Sequence, residues 1–175
     1  MGHGIDWACI GNQLESANQM IGRGVRQLNY GFILSCRLGY LQMVTLIVDN
    51  GTVDLKLGIE AAFESGHPNI AEFLIGKGID DPNHVLRSAC KGGSVKVVNM
   101  MIARGANDFT AGFWNAYSNK YYIVMALMIE HGATIVGLID VKAINALLNL
   151  GVDHSKFNEK IVKPIIDKRQ ERIDA

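Results

Sequence analysis

A glycine returns every 27 residues along most of this chain. The segments QMIGRG, LIVDNG, FLIGKG, MMIARG and LMIEHG close on Gly24, Gly51, Gly78, Gly105 and Gly132. Other positions keep the same phase. Nineteen residues before each closing glycine stands a large apolar residue: Ile5, Phe32, Ile59, Leu86 or Phe113. Sixteen before it stands a small one: Ala8, Ser35, Ala62, Ala89 or Ala116. Three before it come Ile21, Val48, Ile75, Ile102 and Ile129. A second glycine marks the middle of the unit at Gly39, Gly66 and Gly93, replaced by Asn12 and Lys120 in the outer copies. Each unit therefore reads as a short helix (32–38 in the second copy), a tight turn, and a second helix (42–49) with a broad apolar face. The closing glycine fits a helix end that needs φ > 0. A helix pair this small cannot bury its apolar face alone, so successive copies must stack.

Composition narrows the class of function. The chain has 175 residues, of which 49% are hydrophobic and 19% charged, which suits a folded chain and argues against disorder. Lys+Arg and Asp+Glu both number 17, so the net charge is zero. That removes the basic face needed for non-specific nucleic-acid binding and any long-range pull toward anionic membranes. Cys9, Cys36 and Cys90 cannot all pair and match no zinc spacing, so reduced thiols in an intracellular, cytoplasmic setting are expected. The N-terminal segment lacks the pattern of a signal peptide. Met1-Gly2 opens a myristoylation pattern that fails at Asp6. The most apolar stretch, 121–141, is interrupted by Glu130, His131 and Asp140 and contains Gly132 and Gly137. It reads as a buried helix and a turn, in a protein without a membrane span.

At the matched positions the units resemble the ankyrin repeat. The best copies are IEAAFESGHPNIAEFLIGKGID (59–80) and LRSACKGGSVKVVNMMIARGAN (86–107). The likeness is specific in Ala61-Ala62, Gly66-His67 and Gly105-Ala106-Asn107, and it covers residues 5 to 153. It implies an all-α, ankyrin-type helical solenoid that binds a partner protein through the concave face of its first helices. It also implies that His67 bridges neighbouring turns by hydrogen bonds. An ankyrin unit spans about 33 residues, whereas the closing glycines here return every 27. The shortfall lies before the first helix, so the β-hairpin fingers are expected to be short or absent. Shortened units of this kind are similar to those of ankyrin proteins of large DNA viruses, which implies a host-protein adaptor or decoy acting in the host cytoplasm. Leucine-rich repeats reach a similar length, but no copy here carries their Leu-x-x-Leu-x-Leu core.

The ends depart from the pattern. The first copy carries Gln13, Ser16, Asn18 and Gln19 where the others are mostly apolar, as a solvated N-terminal cap would. After Gly132 the phase breaks, and the next matching glycine is Gly151. We therefore expect five units and a rudimentary sixth over 1–151, with one helix at 140–149, and a C-terminal helical cap over 152–175. In that tail Phe157, Ile161 and Ile165 form one helical stripe, and Pro164 should kink or restart the helix. A separate partner-binding helix is the alternative to a cap.

No residue pattern demands chemistry. The three cysteines share one repeat position with Phe63 and Tyr117, so they read as core side chains. Gly22-Arg23-Gly24 and Gly76-Lys77-Gly78 lack the continuation of a phosphate loop, and the histidines show no ligand spacing. We expect no enzyme activity, no cofactor and no metal. Binding is expected where the first helices vary on their solvent side. One row holds Asp6, Ile33, Glu60, Arg87 and Trp114; another holds Ile10, Arg37, Glu64, Lys91 and Ser118. The alternating charges Arg37, Glu64 and Lys91 are also readable as a weak surface ladder. The fifth unit packs Phe113, Trp114, Tyr117, Tyr121 and Tyr122 closely together. Trp114 falls on an exposed position, so these rings are either interface anchors or a cover over the incomplete last repeat. The expected partner-binding residues are Glu60, Arg87, Lys91, Trp114, Tyr121 and Tyr122. The partner is a protein, with the chain a monomer or a weak homodimer, the latter through the Trp/Tyr patch.

Overall fold

The repeat becomes a series of paired helices. A computed structural model describes residues 3–78, 81–135, 137 and 139–173. Among them the chain is all-α, with no strand. The first helices of the five units are α1 (His3–Ile10), α3 (Asn29–Leu38), α5 (Leu55–Glu64), α7 (Pro82–Lys91) and α9 (Phe109–Ser118). The second helices are α2 (Leu14–Gly22), α4 (Leu41–Asn50), α6 (Pro68–Gly76), α8 (Val95–Ala103) and α10 (Tyr122–Glu130). The first helix of the second unit starts three residues before the expected 32, because Asn29 and Tyr30 add a turn ahead of the apolar face.

The mid-unit turn has one geometry throughout. Gly39, Gly66 and Gly93 have φ between 72 and 80°, and Asn12 (51°) and Lys120 (62°) adopt the same left-handed region. The backbone demand is thus uniform, while the sequence meets it with glycine in only three copies. Left-handed backbone costs a side-chain-bearing residue about 1 kcal/mol or more. Lys120→Gly is therefore expected to raise stability by about 1 kcal/mol, read as a higher urea midpoint. The closing glycine is less uniform: Gly51 is extended (φ −151°). Its need for glycine is spatial, since a Cβ there would run into Leu28 Cδ1.

The contacts divide the chain into two compact units, 1–88 and 89–175, with the division falling inside α7. In the first unit α1 packs on α2 and α3, α3 on α4 and α5, and α5 on α6. The phased large residues Ile5, Phe32 and Ile59 are 0–1% exposed, with Met43, Ile47, Ile70 and Leu74 around them. Burying each such side chain stabilises by about 1.5–3 kcal/mol. Asp54 caps α5, accepting from the N–H groups of Lys56 (3.0 Å) and Leu57 (3.3 Å), and its own N–H donates to Asn29 Oδ1 (3.0 Å).

In the second unit α9 packs on α10, α10 on α8 and α11 (Val141–Asn149), and α11 on α12 (Glu159–Ile173). The rudimentary sixth unit is thus a lone second helix, with Asp140 as its cap and not its first residue. Phe157 and Val162 are buried at the start of the tail, Ile165 is half-buried, and the Ile161 side chain lies outside the described residues. Of the two expected effects of Pro164, a restart does not occur: α12 is continuous through it. A proline removes one backbone donor, which a helix tolerates near its start more readily than in its middle.

Candidate functional site

The six expected binding residues fall into both compact units. Glu60 and Arg87 lie in the first, and Lys91, Trp114, Tyr121 and Tyr122 in the second.

In the first unit α3 and α5 present adjoining flanks. Tyr30, Ile33 and Arg37 lie on α3 at the i, i+3, i+7 spacing of one helix face, and Leu57, Glu60 and Glu64 do the same on α5. Between them runs a groove of about 230 Å³, lined by Ile33, Arg37, Leu57, Glu60, Ala61 and Glu64. Tyr30 is 63% exposed and Leu57 44%. Arg37 Nη2 meets Glu64 Oε2 at 3.7 Å across the end of the groove. An exposed ion pair of this kind is worth about 0–1 kcal/mol. Glu60 is half-buried and has no ion-pair partner among the described residues. Arg87 is half-buried on α7 and acts electrostatically on Asp81. Hydrogen bonding from the His84 backbone N–H, first of all, holds the Asp81 carboxyl below its usual range, with Lys56 and Arg87 adding to the effect. A second groove of about 520 Å³ lies between α2 and α4, and its lining includes Glu15, Asn18, Gln42 and Asp49.

In the second unit the aromatic residues mostly hold structure. Trp114 is half-buried, contrary to the exposed position expected for it. Its ring meets Phe113 edge-on at 5.2 Å and Tyr117 at 5.5 Å, and its outer edge lies over Gly137. That is where the sixth unit lacks a first helix. The Tyr117 hydroxyl donates to Asp140 Oδ2 (3.2 Å) and accepts from the Asp140 N–H (3.1 Å). Asp140 in turn caps α11 through the Ala143 N–H (2.9 Å). That backbone hydrogen bond is the main reason the Asp140 carboxyl sits below its usual range, and the Tyr117 hydroxyl adds to it.

Tyr121 is 40% exposed, yet one side of its ring lies on the Gly93 turn, where a Cβ would come within 2.7 Å of the ring. His67, two units earlier, lies on Gly39 in the same way, 2.7 Å from such a Cβ. It packs there in place of the hydrogen bond that the ankyrin likeness implies. Tyr122 opens α10 half-buried, and Lys91 closes α7 exposed, where a cation suits the helix C-terminus.

All three cysteines are buried free thiols. Burial pushes Cys36 and Cys90 up to about 12, and it is also the main cause of the upward shift of Cys9. A neutral thiol is a poor nucleophile. The native protein should therefore leave Ellman's reagent unreacted at pH 8 and release three equivalents once unfolded; fast labelling of one native thiol would refute this. Among the described residues no group of three or more His, Cys, Asp or Glu side chains could hold a metal ion, and no helix is long and apolar enough to cross a membrane. His84 Nε2 is buried without a hydrogen-bond partner among the described residues.

Reading the sequence missed one phased feature. Gly31, Gly58 and Gly112 stand inside first helices, one residue before the large apolar position. A Cβ would sit 2.8 Å from Cys9 Sγ at Gly31, and 3.0 Å from Cys90 Sγ at Gly112. At Gly58 it would collide with the Phe32 ring. The 27-residue interval was the signal, hidden because Val85 breaks the series.

Among the described residues these features define a class: an all-α protein of repeated helix pairs. No family model matches the chain, and no curated protein matches it significantly.

Proposed function

We propose that this chain is an ankyrin-type protein-binding module, and that it engages its partner through the flanks of α3 and α5. The groove between Ile33 and Leu57 carries this reading, because a large exposed aromatic, Tyr30, continues the face lined by these two aliphatic side chains. Apolar and aromatic side chains at the centre of a surface, with charges at its edge, are what protein interfaces use. Glu60 adds a carboxylate that a basic side chain of the partner would meet, and Arg87 lies on the next first helix of the same unit. Trp114 and Tyr121 then serve mainly to close the incomplete end and to space the turns. Buried free thiols fit a reducing, cytoplasmic setting.

Affinity capture from cell lysate tests this with the wild type, Leu57→Glu and Glu60→Lys. Both changes are at accessible positions, so the fold should survive, which circular dichroism checks. A stoichiometric protein whose binding falls about tenfold or more in both variants supports the reading. Equal capture by all three chains places the contact elsewhere, and Trp114→Ala then tests the fifth unit.

A further inference from the structure

Helix α1 differs from the later first helices on the flank that faces a preceding unit. In α5 that flank consists of Gly58 and Ala61, one turn apart. Gly58 receives the Phe32 ring of the unit before it, and Ala61 is 2% exposed beside Ile33 and Arg37 of α3. Gly31 receives Cys9 in the same manner. The corresponding residues of α1 are Gly4 and Trp7. A Cβ at Gly4 would meet only Met20 Sδ and Cε, at an ordinary 3.6 Å. No contact among the described residues therefore requires glycine there, although glycine in a helix costs up to about 1 kcal/mol relative to alanine. Trp7 is 70% exposed, where its counterpart Ala61 is buried. Ile10 is 41% exposed in the row that carries Arg37 and Glu64 in the next two units. The carboxylate of Asp6 turns away from this flank, its Oδ1 lying 3.5 Å from where a Gly31 Cβ would be.

We infer that this flank of α1 is a self-association surface on which a second copy of the chain docks its own α1 antiparallel, the Trp7 indole of each copy covering Gly4 of the other. Gly4 and Trp7 lie one turn apart on one face, so a two-fold axis between them sets large against small twice. The contact reproduces one the chain already makes internally, an aromatic ring over a helix glycine, as with Phe32 on Gly58. A net charge of zero lets two copies meet without overall repulsion. Each tryptophan buries at most about 250 Å², and one short helix covers well under the roughly 800 Å² per partner of a standard interface. The dimer is accordingly weak, with a dissociation constant on the order of 100 µM. This surface is distinct from the α3/α5 groove, and the inference holds whether or not that groove binds a partner.

Sedimentation equilibrium of the full chain, over concentrations from well below to several times about 100 µM, tests it. The wild type should rise from 19.1 kDa toward twice that mass. Trp7→Glu should stay at the single-chain mass with unchanged helical circular dichroism. Gly4→Gln fills the receiving position and, among the described residues, meets the far end of the Met20 side chain at ordinary contact distance, so it should keep thermal stability while weakening association about tenfold or more. A wild type that stays at 19.1 kDa throughout overturns the inference. So does a folded Trp7→Glu chain that associates like wild type. Should Trp7→Glu fail to fold, Gly4→Gln decides alone: association as tight as wild type overturns the inference, and the tenfold loss supports it.

Discussion

Replacing Phe113 by alanine is expected to cost about 3–5 kcal/mol of stability. The ring is fully buried, edge-on to Trp114 at 5.2 Å and stacked on Tyr117 at 6.4 Å with the planes 6° apart. Removing it takes away the transfer energy of the ring and leaves a cavity that rigid neighbours only partly refill. It also loosens Tyr117, whose hydroxyl holds Asp140 and through it the start of α11. Domains of this kind are stable by about 5–15 kcal/mol in total, so the loss is a large fraction of the whole. Urea unfolding followed by tryptophan emission should show it. Trp114 is half-buried beside the lost ring and reports the change, whereas Trp7, already 70% exposed, emits as a solvated indole before and after unfolding. A stability change below about 1 kcal/mol would mean that the ring does not fill the core as described.

A second substitution should run against helix propensity. Gly58→Ala puts a better helix former into α5, a gain of up to about 1 kcal/mol by propensity alone. The added methyl, however, lies 3.0 Å from Leu74 Cδ1 and collides with the Phe32 ring, both side chains being fully buried. Overpacking of this kind costs about 1–3 kcal/mol, and the net effect should be a loss of about 2 kcal/mol or less. Gly4→Ala is the control at the same repeat position. There the methyl finds only ordinary contact with Met20, and stability should hold or rise by a few tenths of a kcal/mol. Opposite signs for one substitution at one repeat position would show that stacking, and not helix formation, selects these glycines. Equal signs would refute the close approach of Phe32 to α5.

The candidate binding face was only partly legible. Glu60 stood out because it varies in a row where core positions do not, and it does line the groove. Tyr30 and Leu57 passed unnoticed, since a row becomes a surface only when two helices set it side by side. Trp114 and Tyr121 looked like free aromatics for a similar reason. Their positions in the unit are solvent-facing in general, but the missing first helix of the sixth unit exposes Gly137 to one, and the Gly93 turn lies under the other.

By itself the sequence determined the helix pairs, their 27-residue period, the turn positions and the buried residues at each phase. These follow from local backbone preference and from apolar side chains repeated at one interval, and both act within a single unit. Tertiary structure alone decided that Gly31, Gly58 and Gly112 are contact points, that Gly51 serves by its size and not by its φ, and that α12 passes through Pro164. It also decided which exposed side chains remain free of neighbours. Each of these depends on the distance between elements far apart in the chain, and van der Waals repulsion, which settles them, changes steeply over a few tenths of an ångström that no residue pattern encodes.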